Sequence, residues 1–303
     1  MGVIRSFARD NIWNLLIWAL FAVTAGSVMS GRFAWYFARQ FLTMAFMVLG
    51  VTLEMMSGLL DLSFVAEVSA ATCIGAALLA ADVPLFAAVG TVILFHLAAG
   101  MIRGCLVARL RVNGAVVTLA LQVILSGLFD FFTGEAVIFF RRREVYASVW
   151  FWAGALLLYA VLFVLLSFLL HRSYYGKYVR MMGEDLQAFA DSGLDYVPIR
   201  MIVCTASSLC FSAASVIILF ITSSGSSMNG NHYLYPVLAA ACLGGVNFFN
   251  GRGKLYGAVL GTVSMVLLLY MTVRFGLQSG SETALEGFLI IVSVVWNVFR
   301  DKN

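Results

Sequence analysis

Ten stretches of this chain stay apolar for 14 to 24 residues at a time, with almost no charge inside them. A helix needs about 20 such residues to cross the hydrocarbon core of a bilayer. The runs are Ile12–Val28, Phe41–Leu60, Leu62–Ala81, Pro84–Ala99, Ala115–Phe132, Val149–Leu170, Ile199–Thr222, Tyr233–Val246, Leu255–Arg274 and Ala284–Val298. Lipid offers no partner to a backbone N–H or C=O, so a spanning segment must be a helix or part of a closed barrel. Barrel strands would alternate over about ten residues, and these runs do not alternate. The reading is an all-α integral membrane protein of about ten transmembrane helices, some short or re-entrant. Composition agrees: 62% of residues are hydrophobic and only 11% charged, where a soluble domain carries about 25% charged residues.

The net charge of +4 does not indicate nucleic acid, because the Lys and Arg sit in short loops between apolar runs. Loop cations set orientation, with the cytoplasmic side enriched. Placing both termini in the cytoplasm puts most of the 19 Lys and Arg on that side, with Arg103 and Arg200 counted among them and Arg39 among the outer ones. Arg141–Arg143 is the exception, and either docks a partner or marks the fifth run as a hairpin. The five cysteines lie in or beside apolar runs without a CxxC pair, as small buried fillers do. The N-terminal run shows no small-x-small cleavage site and reads as a retained helix.

One short segment breaks the apolar pattern. Between residues 171 and 198 the chain reads "GKYVRMMGEDLQAFADSG" from Gly176 to Gly193. Met182, Leu186 and Phe189 fall on one face of a short helix bounded by Gly183 and Gly193. Glu184 and Asp185 suit the positive end of its dipole. An acidic helix is a poor match for anionic lipid, so a protein groove is the expected seat, with the three apolar residues as anchors.

Glu54, Asp61 and Glu67 are the acids of the second and third runs. Intramembrane acids are costly and default to functional candidates. Asp61 reads either as a cap for the helix beginning near Leu62 or as a contact for solute hydroxyls, with Ser63 beside it. Glu54 and Glu67 read as hydrogen-bond partners across a helix interface. Together the three acids also fit a proton relay. His96 reads as a satisfied buried histidine. His232 and Asn229 belong to the uncharged outer loop "TSSGSSMNGNHY", near the mouth of a pathway. Gly244, Gly245, Gly251, Gly253 and Gly257 allow close backbone approach. "GRGKL" lacks phosphate-loop spacing. No nucleophile–base pair or metal cluster appears, so no catalytic residue and no cofactor is expected on this chain.

Three segments carry a resemblance. "GKYVRMMGEDLQAFADSGL", "SGLLDLSFVAEVSAATCIGAALLA" and "LAAACLGGVNFFNGRGKLYGAVLGT" occur in the order seen in permease subunits of bacterial ABC importers of the ribose, galactose and autoinducer-2 class, which the chain resembles from about Phe41 onward. Gly183, Glu184, Ala188, Ala190, Ser192 and Gly193 match that family's ATPase-coupling helix. Asp61, Leu62 and Ser63 match its Asp-Leu-Ser segment. Tyr233-Leu234-Tyr235-Pro236 stands where the family often has Glu-Leu-Asp. The resemblance implies one transmembrane permease domain over residues 1–303, with inverted-repeat importer architecture and 171–198 as its cytoplasmic coupling loop. It implies a bacterial inner-membrane location, a partner ATPase holding ATP and Mg, an extracytoplasmic solute-binding protein and a second, identical or related, permease chain. Gly183, Glu184, Asp185, Leu186, Phe189 and Gly193 are then the ATPase-coupling residues. Glu54, Asp61, Ser63, Glu67 and Asn229 are candidates for the translocation pathway. The solute would be a sugar or sugar-like signal. A proton-driven secondary transporter, or an ABC permease for nucleosides or branched-chain amino acids, are the alternatives.

Overall fold

The structure, a computed structural model, describes residues 11–24, 31–110, 112–141, 148–247, 250–277 and 279–302. It is built from helices α1 (Ile12–Thr24), α2 (Gly31–Met56), α3 (Phe64–Ala80), α4 (Leu85–Arg109), α5 (Gly114–Thr133) and α6 (Val149–Arg172). These are followed by α7 (Tyr174–Glu184), α8 (Leu186–Asp191), α9 (Tyr196–Thr222), α10 (Leu234–Leu243), α11 (Leu255–Arg274) and α12 (Ser279–Lys302). Two short strands, β1 (Ile138–Phe139) and β2 (Ser224–Gly225), pair antiparallel.

Among the described residues seven helices are long and apolar enough to cross a membrane: α2, α4, α5, α6, α9, α11 and α12. Three of the ten sequence-predicted spans fall short. Helices α1 and α3 have 13 and 17 residues, and α10 has 10. At 1.5 Å per residue, α10 is about 15 Å long, half the hydrocarbon thickness. The apolar run Tyr233–Val246 is longer than its helix because a 3-10 turn, Asn231–Tyr233, precedes it and Gly244 and Gly245 follow it. Gly245 takes φ +82°, a left-handed conformation that ends helices at glycine. Other boundaries move the opposite way. Helix α2 begins ten residues before Phe41 and α4 runs ten residues past Ala99.

Helix starts follow local chemistry. Asn113, Ser148, Ser173, Asp185 and Asp195 each accept a backbone N–H of the turn they precede, the usual work of short polar N-caps. Helix α9 is the hub, packed most extensively on α4 and then on α2. The apolar core runs along α2 from Leu42 to Met56 and is closed by α9, α10 and α11. By contrast α5 and α6 expose large apolar residues such as Val123, Phe131, Leu157 and Phe168, as helices facing lipid do.

A repeated pattern organises the middle. A long helix (α2), a non-helical stretch (57–63), a short helix (α3) and a long one (α4) occur in that order. The series α9, 223–233, α10 and α11 repeats it. The second irregular stretch lies along α3: Gly225 sits against Thr72, Cys73 and Ala76, and Gly230 against Val65 and Ser69. Its polar groups are met there. Ser69 accepts the Gly230 N–H at 2.8 Å, and Asn229 Nδ2 donates to Thr72 Oγ1 at 3.1 Å. The first stretch is satisfied similarly, with Arg200 donating to Ser57 O and Oγ at 3.0 and 2.7 Å. Irregular backbone survives at membrane depth only when protein supplies such partners.

Candidate functional site

The acids singled out in the sequence converge on one buried cation. Glu54 from α2, Asp61 from the 57–63 stretch and Glu67 from α3 surround Arg103 of α4, and all four are at most 1% exposed. Arg103 Nη2 is 2.6 Å from Glu54 Oε1, and Nη1 lies 3.1 Å from Asp61 Oδ2 and also donates to Glu67 Oε1. Helix α9 completes the cage. Arg103 donates to Cys204 O, Ser207 Oγ and Ser208 Oγ at 3.2, 3.1 and 3.0 Å. Ser207 donates in turn to Glu54, and Ser208 to Glu67 Oε2 at 3.0 Å. Asp61 Oδ1 accepts both the N–H and the hydroxyl of Ser63 at 2.7 Å. The guanidinium also lies over the Phe211 ring, 5.6 Å from its centroid.

This geometry resolves several expectations. Glu54 and Glu67 do hydrogen-bond across helix interfaces. Asp61 accepts a backbone N–H at the entrance to α3, which starts at Phe64 rather than Leu62, and it carries the Arg103 contact as well. His96 is buried and paired, Nε2 lying 2.8 Å from Ser215 Oγ and Nδ1 3.6 Å from Glu67 Oε2. Ser63 and Asn229 also turn inward, Ser63 onto Asp61 and Asn229 onto Thr72 and the Ser224 carbonyl.

Arg103 itself was placed in a cytoplasmic loop by the sequence, because the fourth apolar run was ended at Ala99. It is a helix residue, and so is Arg200, 4% exposed within α9. Arg39 likewise lies within α2, over the Trp152 ring. Removing these three from the loop-charge balance leaves its sign unchanged. Arg103 was legible by another route: it stands two turns after His96, on the same face of an extended α4. Of the triple arginine, Arg142 and Arg143 lie outside the described residues, and Arg141 is exposed.

The charged interruption folds as two helices rather than one. Asp185, at φ −156° and ψ 104°, leaves the helical region and caps α8, accepting the N–H groups of Gln187 and Ala188 at 2.9 and 3.0 Å. The break puts Met182 on α7 and Phe189 on α8, and both point into the core at 1% and 2% exposure. They are therefore not outward anchors. Leu186, 42% exposed, is the one of the three that faces out, among exposed Met181, Glu184, Gln187, Ala188 and Asp191. Gly193 ends α8 at φ +80°.

Gly183 lies inside α7, not before a helix, and it is the seat of this segment. A Cβ there would land on the Met56 carbonyl and within 3.0 Å of Gly251 Cα. Gly58, at φ +75°, has Gly183 Cα 3.3 Å from its own Cβ position. The surface segment thus rests directly on the end of α2 and on Gly251, beside which Glu184 and Arg252 come to 4.0 Å. Gly244 and Gly257 make a second contact with no room for a side chain, between α10 and α11. Gly253 packs against Val246. Among the described residues no group of His, Cys, Asp and Glu is arranged to hold a metal ion.

A multi-span helical chain, two helices interrupted at matching places, and a capped surface segment seated on one interruption define a membrane transport component. The chain belongs to the family described as branched-chain amino acid transport system / permease component, which matches residues 33–295. It is 24% identical to the ribose import permease protein RbsC of Escherichia coli (strain K12) over 261 residues, covering 83% of this chain and 81% of that protein. RbsC of Haemophilus influenzae is 23% identical over 299 residues, 95% of this chain and 85% of the relative. The autoinducer 2 import system permease protein LsrD of Klebsiella pneumoniae is 25% identical over 268 residues, 84% and 80% of the two chains.

Proposed function

We propose that this chain is the membrane permease of an ABC importer for a small, neutral, hydroxyl-rich solute, a sugar or a sugar-like signal. The activities for which the relatives are named, ribose import and autoinducer 2 import, support that solute class. ATP would be hydrolysed on a separate ATPase chain. An extracytoplasmic binding protein would deliver the solute, and a second permease chain would complete the pathway in the inner membrane. Both termini and the 171–198 segment lie on the cytoplasmic side in this reading.

The observation that carries the proposal is the seating of Gly183 on Met56 and Gly251. A rigid push on α7–α8 has no soft side chain to absorb it. The push reaches α2 through Met56, and it reaches the α10–α11 connection through Gly251. Each leads to one of the two interrupted units, which correspond to inverted repeats hinged about their broken segments. The Arg103 cage ties α2, α3, α4 and α9 so that they move together.

A proton relay through Glu54, Asp61 and Glu67 is less well supported, because Arg103 already occupies their shared centre. The deciding experiment reconstitutes the permease in vesicles with and without its ATPase and follows uptake of labelled D-ribose delivered by the binding protein. Uptake that needs ATP and survives an uncoupler supports the importer. Uptake by this chain alone, abolished by the uncoupler, overturns it.

A further inference from the structure

The five pathway candidates chosen from sequence all point into the protein. A different set of polar groups meets a cavity. At the end of the molecule far from α7–α8, a pocket of about 380 Å³ opens between α2, the Asn231–Pro236 segment, α11 and α12. Small-molecule pockets begin at about 300 Å³. Its polar lining includes Gln40, Asn231, His232, Glu282 and Glu286, and Tyr235, Pro236 and Leu269 add an apolar wall.

Glu282 and Glu286 are four residues apart and share one face of α12. Glu286 is 5% exposed, and its carboxylate has no hydrogen-bond or ion-pair partner among the described residues. Glu282 accepts the Thr272 hydroxyl at 3.4 Å. Asn231 Oδ1 is buried without a partner. Leaving a buried acceptor such as Asn231 Oδ1 unmet is costly, and the two carboxyls beside it add further acceptors to this wall.

We infer that this pocket is the solute's station on the outer half of the pathway, with Glu286 and Glu282 accepting hydroxyls of a polyol whose C–H face rests on Tyr235. The inference rests on the proposed importer reading and names the residues that meet its solute. A polyol supplies donors around its edge and an apolar face, matching both walls. A metal ion is a poorer match, since no group of three His, Cys, Asp or Glu is arranged to hold one among the described residues.

The test uses the complete importer in cells. Glu286→Leu should lower D-ribose uptake about tenfold, the worth of one lost hydrogen bond, while membrane yield stays at the wild-type level. Glu286→Gln, which keeps an acceptor of the same shape, should retain more uptake than Glu286→Leu. In parallel, Glu286→Cys should react with a membrane-impermeant thiol reagent added outside, and binding protein loaded with D-ribose should slow that reaction. No reaction from outside, or full uptake by Glu286→Leu at normal yield, overturns the pocket assignment. Outside reaction in an importer that carries a primary amine and not D-ribose overturns the polyol class, and with it the solute part of the importer reading, while the pocket stands.

Discussion

Arg103 shows how one side chain can fix the relation of four elements. Three carboxylates are held at most 1% exposed around a single guanidinium. Removing the cation strands them, and breaking a buried pair costs about 3–5 kcal/mol. Arg103→Leu is therefore expected to lower the thermal midpoint of the detergent-purified protein sharply. Adding Glu54→Gln and Glu67→Gln to it should recover part of the loss, because fewer buried charges then lack a partner. A triple variant no more stable than Arg103→Leu would count against the cage. The acids of this cluster were visible in the sequence because charge inside an apolar run stands out. Their partner was not, since an arginine four residues past the end of an apolar run at Ala99 reads as a loop cation until α4 is known to continue to Arg109. Glu286 was hidden for a related reason: its environment depends on α2 and the Asn231–Pro236 segment, which are distant in sequence.

Among the elements, α7–α8 separates a surface role from a packing role in adjacent residues. Leu186→Asp should leave folding and insertion normal and abolish ATP-driven uptake, read as loss of ATPase co-purification with the permease. Phe189→Asp should behave differently. It buries a charge where the side chain is 2% exposed, so the permease itself should be unstable and its yield low. Equal yields for the two variants would contradict the two-helix arrangement. The glycine contact between α10 and α11 gives a third case. Gly257→Ala forces a methyl onto the Gly244 carbonyl, an overpacking that costs about 1–3 kcal/mol, measurable as a lower thermal midpoint. Long spans were legible here: Leu255–Arg274 has the same limits in sequence and structure. The failures were at interruptions. Periodicity alone cannot distinguish a ten-residue helix framed by a 3-10 turn and two glycines from a full span, and Asp185 ends α7 by a capping geometry that the Met182, Leu186, Phe189 spacing conceals.

For the molecule as a whole, the arrangement predicts which ends share a side. Asn14 donates to Leu243 O and Asn297 to Cys242 O, each at 3.0 Å, so the start of α1 and the last turns of α12 lie level with the foot of α10. Tyr196 reaches Ala108 O at 3.0 Å on the same side. An impermeant thiol reagent should therefore label Ser192→Cys only after cells are opened and His232→Cys in intact cells. Labelling of both from outside would overturn the orientation. Class and helix content could be read from apolar run length because lipid admits few solutions. The matched interruptions could not, because they are defined by what each irregular stretch touches. One practical result concerns chimaeras. Gly183, Met56 and Gly251 fit as an interlocking key with no spare volume. Transplanting residues 171–198 from a relative to recruit a foreign motor will jam unless the graft brings glycine at position 183, because what it meets at 56 and 251 is backbone.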